Sequence, residues 1–89
     1  MDNPFNFQLS QHAIRRLQER QEIKLEWIKQ VIENPEFIQQ DPLDPQLKQV
    51  YARIAENNGR VLKVVYNATV TPYRIVTVHF DRTMEKKLC

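Results

Sequence analysis

At Asn34-Pro35 the spacing of apolar residues changes from a period near 3.6 to a period of two, and this switch restricts what the chain can fold into. Upstream, Leu25, Trp27, Ile28, Val31 and Ile32 fill one arc of a helical wheel, while Glu26, Lys29, Gln30 and Glu33 fill the opposite arc. Pro35 ends that helix, because the residue before a proline is pushed out of the helical region. A shorter helix is predicted over residues 11–20, with Ala13, Ile14 and Leu17 on one side. Ser10 is its expected N-cap, the hydroxyl taking an orphan backbone N–H. The short connection between the two should close a helical hairpin.

Downstream, alternation predicts strands over 37–40, 49–55, 60–67 and 73–80. Asn57-Asn58-Gly59 separates the second from the third, and Asn and Gly both tolerate the positive φ of a tight turn. Val50, Ala52 and Ile54, then Leu62, Val64 and Tyr66, then Val76, Val78 and Phe80 should lie under the helices. Tyr51, Arg53, Lys63, Thr77 and His79 would gather on the other, uncovered face. The expected fold is α+β, an N-terminal helical hairpin packed on one face of a three- to four-stranded antiparallel sheet. A chain of 89 residues leaves room for one core, so residues 1–89 are expected to form a single domain. Its helices would span about 10–34 and its sheet about 37–81, with a mobile tail over 83–89.

Charge and composition narrow the function. Residues 1–47 hold five basic and eight acidic side chains, a balance of −3, whereas residues 48–89 hold eight and three, a balance of +5, together the net +2. A basic second half can face phosphate, and small domains also distribute charge unevenly without a partner. With Gly59 as the one glycine, neither a phosphate-binding loop nor a dinucleotide fingerprint exists. Cys89 as the one cysteine excludes an internal disulfide and a cysteine zinc cluster, and is read as a frayed, exposed thiol. No apolar run is long enough for a membrane helix, and Met1-Asp2-Asn3-Pro4-Phe5 lacks the basic start of a signal peptide. The expectation is a cytoplasmic domain without cofactor or metal. So small a core is also compatible with self-association.

The uncovered face carries a phenol, a guanidinium, an ammonium and an imidazole. Phosphodiester cleavage needs a proton acceptor, a proton donor and cations for the developing phosphorane charge. His79 is the natural acid or base, Arg53 and Lys63 the phosphate ligands, and Tyr51 a surface for base stacking, so these four are the candidate catalytic residues. A solvated sheet face would carry similar polar residues with no chemistry attached. On the first helix His12, Arg16 and Arg20 stand at i, i+4 and i+8 and form one stripe beside the apolar arc. With Arg74 they are read as RNA-binding or architectural.

Read in order, Ser10-Gln11-His12-Ala13, Arg16 and Arg20, Asn34-Pro35, Val50-Tyr51, the strand from Arg60 to Val65 and Ile75-Val76-Thr77-Val78 resemble the domain of unknown function 4258 family, from about Leu9 to Phe80. The chain departs from that pattern between the helices. It has Gln21-Glu22-Ile23-Lys24 where members tend to have a Gly and a Ser or Thr cap. The family is similar to the RelE-type toxins, small domains with helices packed on an antiparallel sheet. The resemblance therefore implies a metal-independent ribonuclease acting on messenger RNA and held silent by an antitoxin protein. No fixed catalytic constellation transfers with it. The alternative is a non-catalytic protein- or RNA-binding module of a toxin-antitoxin-like system.

Overall fold

The computed structural model describes residues 7–87; Met1 to Asn6 and Leu88-Cys89, including the thiol read as frayed, lie outside them. The elements run β1 (Phe7–Leu9), α1 (Gln11–Glu19), α2 (Leu25–Glu33), β2 (Phe37–Gln40), β3 (Leu47–Ile54), β4 (Arg60–Asn67), β5 (Tyr73–Phe80) and α3 (Arg82–Lys87). The strands form one sheet in the order β1-β5-β4-β3-β2. The β2, β3, β4 and β5 neighbours are antiparallel, and β1 joins β5 in parallel.

The expected α+β class holds, but the sheet is five-stranded and mixed where three or four antiparallel strands were expected. The added strand, β1, has three residues, too few for alternation to register. Contacts from α1 run to β5 and β1, and those from α2 run to β4 and β3, so each helix is held chiefly by the sheet.

Local chemistry explains how α1 seats. Ser10 Oγ accepts the Ala13 N–H at 3.0 Å and donates to the Val76 carbonyl at 2.9 Å, while the Ser10 N–H donates to the Ile75 carbonyl at 2.9 Å. One hydroxyl thus caps the helix and ties it to β5, and Ala13, fully buried, lets the two backbones approach. Ser10→Ala should cost about 1–2 kcal/mol, since it removes a cap and leaves a carbonyl without its partner. Urea unfolding followed by circular dichroism measures it as a lowered midpoint at unchanged slope. The start of α2 departs from that pattern, because Lys24 stands at the N-cap and makes no side-chain capping bond.

Under the helices lie Val50, Ala52, Ile54, Leu62, Val64 and Tyr66, as alternation predicts. On β5 the phase changes. Val65 pairs with Thr77 but Tyr66 pairs with Ile75, which leaves Val76 as an extra residue. The expected set Val76, Val78 and Phe80 is therefore corrected to Ile75, Val78 and Phe80, because a bulge shifts every residue beyond it to the other face. Between β3 and β4, a 3-10 turn over Ala55–Asn57 precedes Asn58 and Gly59, whose φ values are 59° and 71°. The connection, from Ala55 to Gly59, is five residues long.

The face away from α1 and α2 is not bare. Residues expected in a mobile tail form α3, whose first turn is capped by Asp81 Oδ1 accepting the Met84 N–H at 3.1 Å. Met84 packs on Tyr51 and Val61, and those three make a second small core. Apolar residues at the opposite alternation positions give α3 something to cover. No helix among the described residues is long and apolar enough to cross a membrane.

Candidate functional site

Strand register aligns Phe37, Tyr51, Lys63 and His79 in one row across β2, β3, β4 and β5. Side chains directly opposite on one face of antiparallel strands are nearest neighbours, so Lys63 stands between Tyr51 and His79. The Lys63 Nζ lies 5.6 Å from the centroid of the Tyr51 ring, close enough for that ring to steady the ammonium.

Tyr51 itself is buried. Its exposure is 4%, with Met84 on one side and the Phe37 ring centroid 5.6 Å away on another. The hydroxyl donates to Gln49 Oε1 at 3.1 Å, which also accepts from Gln39 Nε2 at 3.3 Å, and Gln49 Nε2 donates to Asp41 Oδ2 at 3.0 Å. The Leu43 N–H, then the Gln49 amide, hold the Asp41 carboxyl below its usual range. This chain of bonds fastens the loop after β2 and leaves the phenol without a free face for a nucleobase.

Arg53 is also committed elsewhere. Its backbone N–H and its Nε donate to the two oxygens of Glu36 at 2.6 and 3.2 Å, and its guanidinium closes an ion pair at 3.1 Å. The pair clamps β2 to β3. Arg53 and His79 are two strands and two residues apart in register, about 12 Å between backbones. Of the four candidate catalytic residues, the structure brings Lys63 and His79 together, uses Tyr51 as the support of Lys63, and sets Arg53 apart.

His79 gains neighbours that spacing does not reveal. It is half-buried, and its pKa is lowered first by lost hydration, then by the Lys63 cation and Arg16; Asp81 opposes them, and Arg20 adds a smaller push down. The second half of α1 therefore shares its electrostatic field with the β4–β5 row. Arg16 is half-buried, with an Nε that is enclosed and lacks a hydrogen-bond partner, whereas Arg20 is exposed and 3.9 Å from Glu22. His12 is exposed in the first turn of α1. Arg74 is exposed five residues from His79, about 17 Å along β5, and does not belong to the group. Among the described residues no three His, Cys, Asp or Glu side chains converge as a metal ion would require.

The family model described as Domain of unknown function (DUF4258) matches residues 9–80, most of the chain. The chain belongs to the DUF4258 family. Comparison with curated proteins and with solved structures gave no significant match. The DUF4258 segment runs from the end of β1 to the end of β5, so it contains Arg16, Arg20, Lys63 and His79, and α3 follows it. Within its Ser-x-His-Ala motif, Ser10 and Ala13 are architectural, as the α1–β5 seam demonstrates.

The lowered pKa of His79 has a consequence for stability. The unfolded chain takes up its proton at a higher pH than the native domain, so the neutral imidazole contributes stability above the unfolded value. That contribution is lost as pH falls from about 6.5, the unfolded imidazole value, through the native one. Urea midpoints measured for the wild type and for His79→Gln at falling pH should diverge over that window, with the wild type losing more. Parallel curves would contradict it.

Proposed function

We propose that this DUF4258 domain acts on single-stranded RNA as a RelE-type, metal-independent ribonuclease, with its reaction centre at Lys63 and His79. The support is one observation: an imidazole kept below its ordinary pKa lies beside an ammonium and within the field of two arginines. Such an imidazole is unprotonated at neutral pH and free to accept a proton. His79 takes the proton of a ribose 2′-hydroxyl, and the 2′-oxygen forms a bond to the adjacent phosphorus. The bond from phosphorus to the 5′-oxygen breaks, water protonates that oxygen, the hydroxide left behind takes the proton from His79, and the products are a 2′,3′-cyclic phosphate and a 5′-hydroxyl. Lys63, with Arg16 and Arg20, offsets the charge that grows on the phosphoryl oxygens.

The test is incubation of the purified chain with an RNA oligonucleotide and a DNA oligonucleotide of matching sequence, both with a chelator present. RNA cut to cyclic-phosphate ends with DNA intact supports the proposal, since only RNA has the 2′-hydroxyl. Intact RNA, together with unaffected growth and total RNA on expression of the chain, overturns it. A second reading, binding of RNA or of a protein without cleavage, is favoured by a particular fact. The Tyr51 hydroxyl is spent on Gln49, so His79 has no phenol partner to return a proton. That reading gives salt-dependent binding and no cut products.

A further inference from the structure

We propose that β2 is the contact through which two copies of this chain pair, extending the sheet across a twofold axis. This rests on no reading of the catalytic site. The sheet has two edges, β1 and β2, and all four residues of β2 are exposed. Phe37-Ile38-Gln39-Gln40 carries no charge and no proline, and Ile38 is 58% exposed. Edge strands that must stay single usually carry a charge, a proline or a bulge to repel a neighbour.

The register defines how two copies would meet. The Asp41 N–H donates to the Leu47 carbonyl, so in the β2–β3 ladder residues 37, 39 and 41 direct their backbone groups inward. Ile38 and Gln40 then direct theirs outward. An antiparallel pair that sets Ile38 opposite the second copy's Gln40 uses every outward group and makes four backbone bonds. Sliding by two residues either way sets an outward residue against Pro42, which has no N–H, or against Glu36, whose N–H is bound to the Tyr51 carbonyl.

The outward groups of Ile38 and Gln40 match those of a second copy, and the longer strand selects β2 as the edge. In that register Gln39 faces its own counterpart and Asp41 faces Phe37, so no like charges stand opposed. Glu36 is already bound by Arg53, and Asp41 by its own loop. The β1 edge offers a shorter seam, since its strand has three residues. Across β2 the two His79 residues stand seven strand spacings apart, about 34 Å, several Debye lengths at physiological salt. A twofold axis normal to the sheet also keeps both His79 residues on one face.

Sedimentation velocity of the full chain at rising micromolar concentration should find a dimer, and Ile38→Lys should weaken association at least tenfold with an unchanged circular dichroism spectrum. Gln39→Cys in a Cys89→Ser background should form a covalent dimer on mild oxidation, whereas Leu43→Cys in that background should not. A monomer at every concentration overturns the proposal. So does a dimer that Ile38→Lys leaves intact, or one that Leu43→Cys crosslinks and Gln39→Cys does not.

Discussion

His79→Ala is expected to lower the rate of RNA cleavage by about 10²- to 10⁴-fold, the usual contribution of a positioned general base. The loss should fall on the rate and not on binding, because Lys63, Arg16 and Arg20 remain to hold phosphate. Lys63→Ala should lower both, and should also flatten the salt dependence of RNA binding by about 0.7 in log–log slope for each phosphate that the ammonium had neutralised. Arg53→Ala offers the contrast: its guanidinium is engaged with Glu36, so cleavage should change little while β2 loosens. The pH profile gives a separate reading. One imidazole acting as base produces a rate that rises with pH through a value below the ordinary imidazole range and then levels. A second descending limb would require another titrating group, and equal losses in His79→Ala and Arg53→Ala would move the centre away from the β4–β5 row.

Ile28→Ala should be among the most destabilising single changes, by roughly 2–5 kcal/mol. Ile28 is fully buried on α2, where the helix lies over β4 and β3 against a layer that includes Val50, Val64 and Leu62. Truncation removes three carbons from a site enclosed on every side, and the surrounding β-branched side chains are too stiff to fill the void. For a domain of this size each kcal/mol lowers the melting temperature by roughly 4–8 °C, so differential scanning calorimetry should register a drop of about 10–30 °C. Ile14→Ala, on an exposed residue of α1, is the matching control and should shift the melt far less. A small effect at Ile28 would mean that α2 is not held as its burial indicates.

The same residues mark how far the chain could be read before folding. Alternation in β4 is strict and carries the helix-facing set Leu62, Val64 and Tyr66 without error, since the extra residue of the bulge lies on β5. On β5 the reading fails at Val76, because a bulge depends on the partner strand and leaves no mark in its own sequence. His79 and Lys63 were legible as neighbours, since each lies on the predicted polar phase of adjacent strands. The approach of Arg16 and Arg20 to His79 was not legible, because it depends on where α1 settles on the sheet. Neither was the Glu36–Arg53 clamp, whose partners are 17 residues apart with no motif between them. Asp81 three residues before Met84 did carry a capping signal for α3, but a single apolar residue is a weak mark of a buried helix.

By itself the sequence determined the class of each long element, the end of α2 at Asn34-Pro35 and the cap at Ser10. These depend on backbone sterics and on bonds within a few residues. Tertiary structure alone decided that Tyr51 is roofed by Met84, that β1 joins the sheet in parallel, and that Arg16 and Arg20 act on His79. Such contacts join residues far apart in the chain, and their free energy comes from burial and charge that exist only once the layers have packed.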